Sequence, residues 1–305
     1  MAFSTTPIHG KNGNIFWLRP NGFKGSGLND LTWGSYSAAT ASAHFEIAIF
    51  STGAPDTFKI RENGGTWDDN TGVGYAITGS EQTYTGINGT VAFTFAATTG
   101  HTVGDQWSVG HLYSEPTTIV DNEAQITSTL RRLLNPNDRP TWTDSGGATL
   151  ETVDYTTGKA TFASNPTSVT VTGDNGYILE SGLQELGFIQ DWTLNPTIDI
   201  VDGSYMGTDW KEFYVGMAGA TGSINKMFIA NHNLFEALNN AASGTQSFVL
   251  LQLFVYDPDR DQTGTHINLW AIINSWGIDA PKADLVKSNI NFTSEGIVST
   301  IMANS

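Results

Sequence analysis

Residues Thr141 to Tyr177 read TWTDSGGATLETVDYTTGKATFASNPTSVTVTGDNGY, and Leu186 to Phe228 read LGFIQDWTLNPTIDIVDGSYMGTDWKEFYVGMAGATGSINKMF. In the first stretch Val169 and Val171 alternate with Ser168, Thr170 and Thr172, the period of an antiparallel strand with one face in a core. Downstream, NHNLFEALNNAAS (Asn231 to Ser243) reads as a helix. Asn231 or Asn233 offers a cap, Leu234, Phe235 and Leu238 share a face, and Gly244 stands ready to end it. FVLLQLFVY and INLWAIINSW then flank the polar loop Asp257 to Thr265 as a long hairpin, and a last strand is expected around Asn289 to Thr293. The C-terminal part is thus mainly β, a sandwich or barrel with one α-helix.

Upstream the pattern is again short strands. HFEIAIF places Phe45, Ile47 and Ile49 on one face, DTFKIREN places Phe58 and Ile60, and GTVAFTFA places Val91, Phe93 and Phe95. ENGGTW (Glu62 to Trp67) is a hairpin signal, because Asn-Gly tolerates the positive φ of tight turns. Ala43 to Tyr113 can therefore close as a small β-sandwich. NEAQITSTLRRLLNPNDRP, next in the chain, fits a short helix or a connector. Met1 to about Trp33 is rich in Gly and Asn, with one strand-like patch at Asn14 to Arg19, and reads as an arm. The expected domains are 1–35, an N-terminal arm and first strand; 36–115, an inserted β-sandwich module; and 116–305, the C-terminal β domain.

The 305 residues suffice for two units at roughly 100 to 200 residues each, and 39% hydrophobic residues supply cores. The absence of cysteine removes disulfides, thiolate metal sites and thiol nucleophiles. A formal charge of −16 opposes a grip on nucleic acid phosphates, which needs clustered Lys and Arg. No stretch has the length of an apolar bilayer-spanning helix, so no membrane partner is expected. The first twenty residues lack a basic start followed by an apolar run, so export by a cleaved leader is not expected.

Catalytic signatures are missing: there is no HExxH and no GxSxG, and TTGKAT (Thr156 to Thr161) lacks the first Gly of a phosphate loop. No catalytic residue and no cofactor is nominated, and the chain is expected not to be an enzyme. Asp257, Asp259 and Asp261 in DPDRDQTG offer oxygen ligands at alternating positions, but an EF-hand needs Gly sixth and an acid twelfth, whereas Gly264 is eighth. A solvated hairpin tip is the stronger reading and a hard-cation site the lesser alternative. The six His read as surface or turn residues rather than ligands. Trp67 and Trp107 lie at turn edges where sugars could stack, although large aromatics are more often buried.

From about Glu123 to Ser305 the chain resembles the major tail tube protein of long-tailed (siphovirus-type) bacteriophages. The resemblance is carried by order. An aromatic-bearing strand (Phe188 to Leu194) leads through the acid-rich stretch Asp199 to Ser204 to Gly207-Thr208-Asp209-Trp210-Lys211-Glu212, and a small-residue turn, helix, hydrophobic hairpin and closing strand follow. Val201-Asp202-Gly203-Ser204 departs from the family pattern, which has Thr soon after the Asp. APDTFKIRENGGTW and ATTGHTVGDQW resemble a small β-module found within phage virion proteins.

The resemblance implies a structural virion protein of the tail, assembled in the host cytoplasm, whose copies form stacked hexameric rings around a channel for genome ejection. The implied partners are further copies of itself, a tape-measure protein, tail-tip and terminator proteins, and double-stranded DNA passing without specific binding. Trp192, Trp210, Phe213 and Arg260 become candidates for contacts between copies. From Pro140 to Asp257, 13 acids stand against Lys159, Lys211 and Lys226. A carboxylate-lined channel repels phosphates, and Asp199, Asp202 and Asp209 are the lumen candidates. The alternative from another class is a carbohydrate-binding or adhesive β-sandwich surface or baseplate protein, with Trp67 and Trp107 as its platform.

Overall fold

The structure, a computed structural model, describes residues 8–9, 15–18, 22–179, 184–185, 189–202, 213–227, 248–254, 266–279 and 287–301. These residues are mainly β, as the alternation predicts. The chain divides into a terminal unit (Met1–Trp17, Glu185–Asn231, Leu238–Ser305) and a central unit (Leu18–Gln184, His232–Ala237). The expected helix at 231–243 lies outside the described residues.

The chain opens with β1 (Ile8–His9) and β2 (Ile15–Leu18), then enters the central unit. There β3 (Leu31–Ser37) pairs with β8 (Thr90–Phe95), and β8 with β7 (Gln82–Thr85), as a three-stranded sheet. β4 (Ala43–Ser51) sits between β5 (Thr57–Glu62) and β9 (Gln106–Val120), with β6 (Tyr75–Ala76) outside β5. Phe45, Ile47, Ile49, Phe58, Ile60, Val91, Phe93 and Phe95 all point into one core with Trp107, the faces the period-two pattern assigned them. Phe95 meets Trp107 edge-on, 5.4 Å between ring centres at 89°. Asn63 and Gly64 turn the chain at φ 49° and 69°, the left-handed conformation for which Asn-Gly is suited.

β9 then passes into a second core. It pairs with β10 (Glu123–Ile126), which pairs with β13 (Lys159–Phe162), itself beside β12 (Leu150–Asp154). β11 (Thr141–Asp144) pairs with β14 (Val169–Tyr177), and β14 runs back along β9. Val169 and Val171 are buried here with Ala124, Ile126, Phe162 and Tyr177. One expectation changes as a result. A boundary at 115/116 cuts through β9, one continuous strand shared by both cores, so residues 116–179 pack with the module before them. The segment from Asn122, open to a short helix or a connector, is a strand paired on both edges followed by a 3-10 turn (Thr129–Arg131).

The arm also ends earlier than expected. Residues 22–30 are strapped to the sandwich. The buried Asp105 carboxylate accepts the N–H groups of Ser26 (3.1 Å), Gly27 (3.0 Å) and Thr102 (2.8 Å). Gly25 and Gly27 are required there, since a Cβ at either would collide with Asp105. Phe23 is buried against Trp107, and Trp107 Nε1 donates to Asn29 Oδ1 at 3.0 Å. Deleting Ala2 to Lys11 is accordingly expected to leave the central unit's urea midpoint unchanged. Extending the deletion to Asn29 should lower it strongly, by stripping the partners of Asp105 and uncovering Trp107. Equal midpoints for the two deletions would contradict this strap.

The terminal unit is an eight-stranded sheet of β1, β2, β15 (Gln184–Glu185), β16 (Ile189–Asp202), β17 (Phe213–Met227), β18 (Val249–Phe254), β19 (His266–Asp279) and β20 (Lys287–Ile301). Their order is β1-β16-β17-β20-β19-β18-β2-β15. The central unit leaves this sheet at β2 and returns at β15, neighbouring strands at one end of it. It is therefore an insertion between adjacent strands, larger than the 36–115 module. The expected hydrophobic hairpin is β18 with β19, paired from Val249 opposite Ala271 to Phe254 opposite His266.

Candidate functional site: an assembly surface

The pairing of the terminal unit is staggered. β17 pairs with β16 from Phe213 to Lys226, but with β20 only from Thr221 to Met227. β20 uses Lys287–Thr293 against β17, while its pairing with β19 continues on to Ile301. Each step displaces the paired window along the strands, the shear that goes with tilted, barrel-like strands.

One consequence lies at Thr221 opposite Thr293, the last pair between β17 and β20. The next N–H, that of Ala220, is taken by the Ser294 hydroxyl at 2.7 Å rather than by a strand carbonyl. Beyond this side-chain cap, Ile198–Asp202 and Phe213–Ala218 continue as a two-stranded ribbon. β1 covers β16 only at Thr193 and Leu194, so among the described residues both outer edges of the ribbon are without a strand partner. A two-stranded ribbon is marginal by itself in water, and its free N–H and C=O rows are templates for another strand.

The sheet at the ribbon's root has two unlike faces. Trp192 and Leu194 on β16, Ile224 on β17 and Ile290 and Phe292 on β20 are buried. The alternate positions are small and polar. Thr193 Oγ1 lies 2.9 Å from Ser223 Oγ, Asn291 Nδ2 donates to Ser275 Oγ at 2.9 Å, Asn274 Nδ2 donates to Thr293 Oγ1 at 2.6 Å, and Asn225 Nδ2 donates to Asp191 Oδ1. These cross-strand bonds tie β16 to β17 and β19 to β20.

Of the residues singled out from sequence, Asp199 and Asp202 fall on β16 in the ribbon, and Phe213 opens β17 opposite Asp202. Trp192 is wholly buried inside its own chain, as a large aromatic at the centre of an apolar face should be, and offers no ring to a neighbouring copy. Asp209, Trp210, Arg260, Asp257, Asp259 and Asp261 lie outside the described residues. Among the described residues no group of three or more His, Asp or Glu is placed to hold a metal ion.

Sequence reasoning missed the buried histidines. His101 bridges Asp30 and Asp56 in the core, and His111 is buried as well. Only the acids at 30 and 56 could have hinted at the first, and nothing in the linear pattern brings them to residue 101. The sugar platform also changes. Trp107 is a core residue, and half-buried Trp67 already has Arg61 and Lys59 over its ring, 4.4 and 4.9 Å from its centre.

No family model and no curated protein matches this sequence. Among solved structures, the chain is similar to the tail of an empty gene transfer agent particle with C6 symmetry, at 14% identity over 40% of this chain and 88% of that one, with a TM-score of 0.32. It is likewise similar to a chain of the native gene transfer agent virion, at 15% identity over 40% and 92% with a TM-score of 0.32. A third similarity is to the six-fold symmetrised baseplate of the anti-feeding prophage, at 9% identity over 40% and 86%, again with a TM-score of 0.32.

Proposed function

We propose that this chain is a structural subunit of a phage-type tail that assembles with its own copies into stacked hexameric rings, forming a tube through which a genome passes. The observation that carries the reading is the ribbon of β16 and β17, whose outer edges have no strand partner among the described residues. A neighbouring copy that supplies a strand removes the exposed edge, and a head-to-tail contact repeated around an axis closes a ring. The ordered resemblance of Leu186 to Phe228 and the strands after it supports the same reading.

In this proposal the role is structural, not catalytic, the chain resides in the virion tail after assembly in the host cytoplasm, and the tube meets tape-measure, tip and terminator proteins. The acid excess between Pro140 and Asp257 keeps passing DNA from adhering, because few Lys or Arg are present to release counterions. Electron microscopy of the purified protein over a range of concentrations and ionic strengths is expected to show rings or tubes with a central channel. The carbohydrate-binding alternative predicts retention on a glycan array by a fragment containing residues 22–179, whose two cores are both internal to it. The tail reading predicts none.

A further inference from the structure

His111 stands on β9 between Val109, in the first core of the central unit, and Leu112, in the second. Its exposure is 0%. Its ring stacks on Tyr36 of β3, 4.6 Å between centres at 19°, and meets Phe45 of β4 edge-on at 5.8 Å. Neither ring nitrogen has a hydrogen-bond partner. Tyr36 is held over the ring by its hydroxyl, whose single proton is shared between Asn88 O (2.7 Å) and Ala41 O (2.9 Å).

The titratable and charged groups around this seam are Tyr36 of β3, His44 and Glu46 on β4, Glu62 of β5, Tyr84 of β7, Tyr177 of β14 and the Arg131–Glu115 pair. None of them bonds the His111 ring. The nearby cation is committed elsewhere, since Arg131 bonds Glu115 at 2.7 Å and the Ser42 carbonyl at 3.2 Å. A proton on His111 would create a buried cation without a carboxylate to neutralise it. Burial alone pushes the His111 pKa down to about 3 from an ordinary 6.5.

We propose that this seam is an acid-operated joint whose moving part is His111: when the ring takes a proton from solvent it leaves its place behind Tyr36, and β3 loosens from β9. The sign follows from linkage. Below pH 6.5 the open form binds a proton that the closed form refuses until about pH 3, so opening is favoured progressively as pH falls through that window.

Hydrogen exchange of the full chain, followed by mass spectrometry from pH 7 to pH 4 and corrected for intrinsic rates, tests it. Peptides carrying Tyr36 and His111 are expected to open about tenfold more for each pH unit below 6.5, while the peptide carrying Ala160 to Phe162 keeps its protection. His111→Phe should flatten that response, with His44 and His101 still present. His111→Gln, polar but without a titration, should flatten it too if the Phe variant does not fold. An unchanged slope in the variants, no slope in the parent, or simultaneous opening of the second core would each overturn the joint.

Discussion

Replacing His101 by alanine is expected to lower the unfolding free energy of the central unit by about 3–5 kcal/mol, the usual cost of removing one partner of a buried ionic group. The His101 side chain is fully buried, with Nε2 2.9 Å from Asp30 Oδ1 and Nδ1 3.0 Å from Asp56 Oδ2. Each ring nitrogen thus faces a carboxylate oxygen of a different aspartate. The carboxylates are fixed in turn: Asp30 accepts the Ala97 N–H at 2.6 Å, and Asp56 accepts those of Gly53 at 2.7 Å and His101 at 3.0 Å. Without the ring, two carboxylates in the interior lose the hydrogen-bonding partner between them.

Burial pushes the Asp56 carboxyl up, but the bonds from Gly53 and His101 outweigh it and hold the group below its ordinary 3.8. Its stabilising contribution is thus present above 3.8 and lost as pH falls through the lower value of the folded state. Urea unfolding followed by the fluorescence of Trp107, whose ring lies 6.1 Å from that of His101, measures the effect at neutral pH. A loss below about 1 kcal/mol, the range of exposed pairs, would show that the bridge is not an ionic keystone of this core.

The second large effect concerns assembly. Ile198 pairs directly with Ala218, so joining them through a two-residue Asn-Gly turn removes 199–217 and leaves the rest of the β16–β17 pairing in register. The shortened chain is expected to fold, because Trp192, Leu194, Ile224, Ile290 and Phe292 at the sheet's root lie outside the excision, and to remain monomeric in sedimentation velocity under conditions where the parent is expected to form rings. Rings of ordinary size from the shortened chain would mean that copies associate through another surface.

The strands of both units were legible wherever one face is buried, because burial imposes the period of two seen at Phe45, Ile47 and Ile49 or at Val169 and Val171. What escaped the sequence was tertiary. Gly25-Ser26-Gly27 reads as a loose linker, and only the arrival of Asp105 from 78 residues away turns its N–H groups into a clasp. The domain boundary escaped because β9 keeps its strand character through both cores. Arg131 and its neighbours allow a short helix or a connector, while the decisive pairing of β10 lies with distant β13. For the proposed assembly surface, sequence order pointed to the β16–β17 region, but the Ser294 cap and the edges unpartnered among the described residues depend on where β17 parts from β20, which no local pattern reports.

Electron microscopy of the purified full-length protein beside the shortened variant decides whether copies assemble through that ribbon. Six-fold rings or tubes with an open channel are expected for the parent, and single particles for the variant. A parent protein that stays monomeric at every concentration and ionic strength would contradict that assembly.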